Sequence, residues 1–121
     1  MYGLPDQFDT SFLIGLELES VVFHPFTMHL HFTNNITISI TGAFSYTKNK
    51  LDKVETVKIP LTTKTDVMIL VGKKIKEATG ERNGTLTLTF DNEHIFVCYD
   101  YYPNYESYII YRGKDETIAI V

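Results

Sequence analysis

The sequence predicts a mainly β domain: an antiparallel sandwich or partly open barrel of seven to eight strands, made of two pseudo-repeats with one or two short helical turns. Three observations carry this expectation. Several segments alternate apolar and polar residues with a period of two, the second half of the chain repeats the plan of the first, and helical periodicity is scarce.

The elements follow in chain order. Asp9-Thr10-Ser11 before Phe12-Leu13-Ile14-Gly15 reads as a cap, one helical turn and a terminating glycine. Leu16 to Phe23 carries the β-branched and aromatic residues of a strand. In residues 26–32 every even position is apolar and every odd one polar, as in a strand with one face in a core. Residues 36–41 alternate in the same way, and Asn34-Asn35 between the two suits a tight hairpin. Val57, Ile59 and Leu61 suggest a further strand, which Pro60 places at an edge or a strand end.

The plan then starts again. Thr65-Asp66 before Val67 to Gly72 repeats the cap, turn and glycine. Val67, Leu70, Val71, Ile75 and Ala78 also fit one face of a longer helix, but the repeat favours a strand after the glycine. Residues 85–90 alternate. Residues 95–99 are apolar on both faces, which predicts a central strand. Residues 108–111 and 117–121 read as a final hairpin. Matched pairs set the repeat: residues 12–16 with 69–73, 28–34 with 86–92, and Ile36 and Ile38 with Ile95 and Val97. The pseudo-repeats run over about 9–61 and 66–121, and the whole of 1–121 forms a single domain.

Composition narrows the function. The 121 residues are 44% hydrophobic and 21% charged, which suits a folded chain able to bury a core without staples. The formal net charge of −4 repels phosphate backbones, so nucleic acid is not expected as a ligand. Cys98 is the one cysteine, which rules out an internal disulfide. The N-terminal residues lack a basic run followed by an apolar one, and no apolar stretch is long enough for a membrane helix. The cytoplasm is the expected compartment, with no membrane partner. The sequons at Asn35 and Asn83 then carry no meaning.

Candidate sites are few. His29 and His31 share one face of a strand, and His24 can join them across a hairpin, so these three are the candidate metal ligands. Thr87 and Thr89 occupy the matching positions of the second half, which favours a solvent-facing role and no metal or other cofactor. Cys98 and His94 stand four residues apart, about 13 Å along a strand at ~3.3 Å per residue, too far for a nucleophile and its base. Glu17 with Glu19, and Asp115 with Glu116, read as solvated carboxylates, since acid–base work needs a cleft that separates their proton affinities. No catalytic residue is expected, and the chain is not expected to be an enzyme.

Residues 100–108 differ in kind. They crowd Tyr101, Tyr102, Tyr105 and Tyr108 beside Asp100 and Glu106, with Pro103-Asn104 marking a turn. Tyrosine gives large contact area at low entropic cost, and carboxylates beside it suit a basic partner. Asp100, Tyr101, Tyr102, Tyr105 and Glu106 are therefore the candidate partner-binding residues. Tyr108 and Tyr105 also fit a core position with the hydroxyl at its rim.

The opening MYGLPDQFDTSFLIGLELESVVF, the motif LHFTNNITISI, the later LTLTFDN and the closing YESYII together resemble a family of small bacterial proteins classed as a domain of unknown function. The resemblance covers nearly the whole chain. Such proteins look like immunity proteins of contact-dependent growth inhibition, and the resemblance implies a cytosolic protein that occludes a toxin. The partner would be a protein toxin, such as a basic nuclease domain, and the free protein a monomer or weak dimer. The alternatives from other classes are a small-molecule or metal-binding β-barrel and a structural homo-oligomer.

Overall fold

A computed structural model describes residues 3–5, 7–49, 51–59, 65–101 and 106–121. Among them are ten strands rather than seven or eight: β1 (Leu18–His24), β2 (Thr27–Phe32), β3 (Ile36–Ile40), β4 (Ala43–Thr47), β5 (Thr56–Lys58), β6 (Ile75–Gly80), β7 (Leu86–Phe90), β8 (Ile95–Tyr99), β9 (Tyr108–Arg112) and β10 (Glu116–Ile120). They form two antiparallel five-stranded sheets, ordered β1-β2-β3-β9-β10 and β5-β4-β8-β7-β6. The sheets do not close into a barrel. One of the extra strands is Ala43–Thr47, whose alternation is masked by burial on both faces.

Three short 3-10 turns replace the expected one or two: Ser11–Leu13, Thr33–Asn35 and Val67–Leu70. The middle one is the asparagine turn between β2 and β3, where Asn34 and Asn35 take φ of 61° and 59°. Asparagine tolerates this left-handed backbone better than most residues, which is why the pair can reverse the chain. Residues 75–80 form a strand, not a helix. β5 is an edge strand and ends before Pro60, while β8 lies at the centre of its sheet.

The duplication is visible in the backbone. Each half begins with a 3-10 turn and a three-stranded meander, β1-β2-β3 or β6-β7-β8. Each half then sends its last two strands to the other half's sheet: β4 and β5 join β8, and β9 and β10 join β3. Both sheets are thus shared between the halves. The crossing point is held by reciprocal bonds. Gly15 N–H donates to the Ile75 carbonyl at 2.8 Å and Gly72 N–H to the Leu18 carbonyl at 2.7 Å, while Leu18 donates to Lys73 and Ile75 to Leu16, each at 2.9 Å. Glu17 and Lys74 form a β-bridge between them.

One register differs from the sequence reading. Met28 opposes Ile40 as Leu86 opposes Cys98, and Leu30 opposes Ile38 as Leu88 opposes Phe96. The equivalents of Ile38 and Ile40 are therefore Phe96 and Cys98. Matching Ile36 and Ile38 with Ile95 and Val97 slips the strand by one residue, which exchanges its inner and outer faces. Leu30, Ile38 and Ile110 of one sheet and Phe44, Leu88 and Phe96 of the other lie fully buried in the single core between the sheets.

Candidate functional site

The outer face of the first sheet carries a hydrogen-bonded polar constellation. Alternation along β2 buries Met28, Leu30 and Phe32 and turns His29 and His31 outward. Register then sets their neighbours: Ser39 stands opposite His29, Thr37 opposite His31, and Tyr111 opposite Thr37. His29 Nδ1 lies 2.6 Å from Ser39 Oγ, and Ser39 Oγ lies 2.8 Å from the Tyr111 hydroxyl. His31 Nδ1 lies 3.0 Å from Thr37 Oγ1. The His24 ring meets that of His29 edge-on at 5.2 Å, and His29 and His31 stack at 5.9 Å.

Partial burial holds the His29 imidazole below its ordinary proton affinity, and the neighbouring His24 and His31 push it the same way. Among the described residues no group of three His, Cys, Asp or Glu side chains is placed to hold a metal ion.

The second half provides an internal comparison. The positions equivalent to His29, His31, Thr37, Ser39 and Tyr111 hold Thr87, Thr89, Ile95, Val97 and Thr47, by the matching registers of the two sheets. A scaffold of this shape folds with ordinary strand residues there. The His29–Ser39–Tyr111 chain is an addition to the fold, not a requirement of it.

The described ends of the tyrosine-rich segment, 100–101 and 106–107, adjoin β8 and β9. Asp100 is turned inward: its carboxylate accepts from Gly3 N–H at 2.9 Å and from the Ser107 hydroxyl at 3.0 Å. Tyr101 is 54% exposed and stacks on Tyr99 with ring centroids 4.7 Å apart. Glu106 is exposed, and its carbonyl accepts from the Thr41 hydroxyl at 2.7 Å. Tyr102 and Tyr105 lie outside the described residues. Tyr108 is a core residue, and its hydroxyl donates to the Gly84 carbonyl at 2.6 Å.

The remaining candidates lie elsewhere. Cys98 is fully buried, and burial pushes its thiol far above the ordinary range. His94 Nδ1 instead lies 2.6 Å from the Tyr46 hydroxyl. Glu17 belongs to the bridge at the crossing point, Glu19 and Asp115 are exposed, and Glu116 pairs with Arg112 at 3.0 Å. Sequence reasoning missed Ser39 and Tyr111. Alternation in residues 36–41 does place Thr37 and Ser39 on one face, but the approach of Tyr111 depends on a strand pairing between residues 72 positions apart.

With this geometry in view, the family model described as "Family of unknown function (DUF6188)" matches residues 10–121. The chain belongs to the DUF6188 family. No curated protein and no solved structure matches it. The match spans both pseudo-repeats, so the duplicated sandwich with exchanged strand pairs describes the DUF6188 region of this chain nearly end to end. No helix among its described residues is long and apolar enough to cross a membrane.

Proposed function

We propose that this DUF6188 chain is a non-catalytic binding protein that works in the cytoplasm, and that its partner is a toxin which it neutralises by occlusion, as an immunity protein does. One comparison carries the reading. The first half joins β3 to β4 with two residues, 41–42, while the second half joins β8 to β9 with eight, 100–107. The shorter connection already completes the same strand exchange. The six added residues are thus not needed for closure, and the longer connection carries Tyr101, Tyr102, Tyr105 and the exposed Glu106. Extra loop length on a rigid scaffold is where binding residues concentrate.

Tyr101, propped by Tyr99, supplies a rigid aromatic surface, and Glu106 supplies the carboxylate for a cationic group of a basic partner such as a nuclease domain. Asp100 serves the same contact from behind, by fixing the base of the connection through Gly3 and Ser107. The net charge of −4 favours such a partner over nucleic acid itself.

The test is calorimetric titration against the toxin domain encoded beside the gene, with protection from its activity as a second readout. The expected result is a complex that blocks the toxin. The Tyr101→Ala/Glu106→Lys variant should bind at least about tenfold more weakly with an unchanged melting temperature. Equal binding and protection by that variant, or no complex with the wild type, would sink the proposal.

A further inference from the structure

A flat outer sheet face made of ordinary strand residues would offer a partner little. The outer face of the first sheet is different, because its hydrogen-bond chain has two settings. Ser39 and Tyr111 each own one hydroxyl proton. With His29 neutral, the chain can run from Tyr111 to Ser39 to His29 Nδ1, and the imidazole then presents Nε2–H outward. It can also run from His29 Nδ1–H to Ser39 and on to Tyr111. Once His29 is protonated both ring nitrogens are donors, and only the second direction survives. Ser39 then accepts from His29 and donates to the Tyr111 oxygen, which frees the tyrosine proton to point away from the sheet. The same logic makes Nδ1 of protonated His31 donate to Thr37 and leaves its Nε2–H outward.

We propose that this face is a second binding surface, which takes up a carboxylate-bearing protein partner when its imidazoles are protonated. In that state His24, His29, His31 and Tyr111 offer donors on one face, among the hydroxyls of Ser20, Thr37 and Ser39 and the apolar Val22 and Ile109. The charged and titratable groups facing them are few. β1 contributes His24 and, beside His31 in a shallow hollow, Glu19; β2 contributes His31; β3 contributes only Thr37 and Ser39; β9 contributes Tyr111; the β9–β10 turn contributes Lys114 to the same hollow. Glu19 and Lys114 offset one another at that end, which leaves the imidazoles to set the sign of the face.

Three like charges this close oppose one another. An incoming carboxylate relieves that repulsion, so proton uptake and partner uptake assist each other by linkage. The duplication supports a function here rather than in the fold, because the equivalent positions of the other sheet do without every member of the chain. The test of this surface uses other residues than those of the tyrosine-bearing connection and does not depend on that reading.

The experiment uses a ten-residue polyglutamate peptide (about ten carboxylates, ionised throughout the range) as the probe, titrated into the full chain at about pH 5.5 and about pH 7.5, on either side of the ordinary histidine value. Binding should be roughly tenfold or more tighter at the lower pH, and the ratio should fall towards one in His29→Gln/His31→Gln. With the peptide bound at the lower pH, imidazole nitrogen shifts read by NMR should show His29 Nδ1 protonated, and Tyr111→Phe should reduce the pH effect without abolishing it. A ratio that persists in the double variant places the site elsewhere and overturns the proposal. So does equal binding at both pH values, or uptake of zinc in preference to the peptide. If the double variant melts early, His29→Gln alone, with its fold checked by the same spectra, decides the question.

Discussion

The Tyr108 hydroxyl donates to the Gly84 carbonyl at 2.6 Å, joining a strand of the first sheet to a turn of the second across the buried end of the sandwich. Phe44 occupies the equivalent place in the other sheet, since it opposes Cys98 as Tyr108 opposes Ile40. A phenyl ring therefore suits the position, and Tyr108→Phe removes the hydrogen bond with little change in packing. The orphaned Gly84 carbonyl should cost about 1–3 kcal/mol of stability. Urea denaturation followed by circular dichroism checks this. An unchanged midpoint would mean that the carbonyl finds water instead.

Gly15 and Gly72 both take φ of +88° where the two halves cross, and no atom lies within 4 Å of the place a side-chain carbon would occupy at either. Alanine at either position meets backbone strain without steric clash. Gly15→Ala and Gly72→Ala should each lose about 1–2 kcal/mol, and by similar amounts, because their surroundings are related by the duplication. At Gly84 the added carbon would also lie 2.5 Å from Asp100 Cβ, so Gly84→Ala should lose more than either. Melting temperatures of the three variants rank them.

Much of this architecture was legible because its cause is local. Outward His29 and His31, buried Leu30 and Phe32, and the asparagine turn all follow from period two and from left-handed backbone tolerance. The repeat announced the two glycine turns and the β6 strand. The exchange of β4-β5 and β9-β10 between sheets left no local mark, because it is decided by pairings between distant segments such as Ser45 with Val97 and Ser39 with Ile109. The same distance hid the candidate site. His29 was visible as a surface imidazole, but Ser39 and Tyr111 became its partners only through the β3–β9 ladder. Asp100 shows the converse: its neighbours suggested a contact surface, and Gly3, nearly a hundred residues away, turned it inward.

Acid should weaken the fold through imidazoles. The proton affinities of His29 and His94 are both lowered, in each case first by burial. The unfolded chain therefore takes up protons first as pH falls, and the folded state loses relative stability. The stability these groups contribute is present above the ordinary histidine value and is lost as pH drops through their lowered folded values. Denaturation midpoints measured between about pH 8 and about pH 5 should decline, and His29→Gln should flatten part of that decline. A midpoint that rises in acid would contradict the burial of these rings.

Alkali should act through Cys98 and Tyr108, with the opposite sign. Burial raises the proton affinity of the Cys98 thiol and, with Cys98 beside it, of the Tyr108 hydroxyl. The folded chain keeps these protons while the unfolded chain releases them, so stability is intact below the ordinary thiol and phenol values and falls as pH rises past each in turn. The same burial denies the thiol both ionisation and access. A disulfide reagent at about pH 8 should modify Cys98 no faster than the protein opens, and the rate should climb in Tyr108→Phe, which opens more readily. Immediate labelling of the native protein would show that the β8 face carrying Cys98 is not sealed by the sheet opposite.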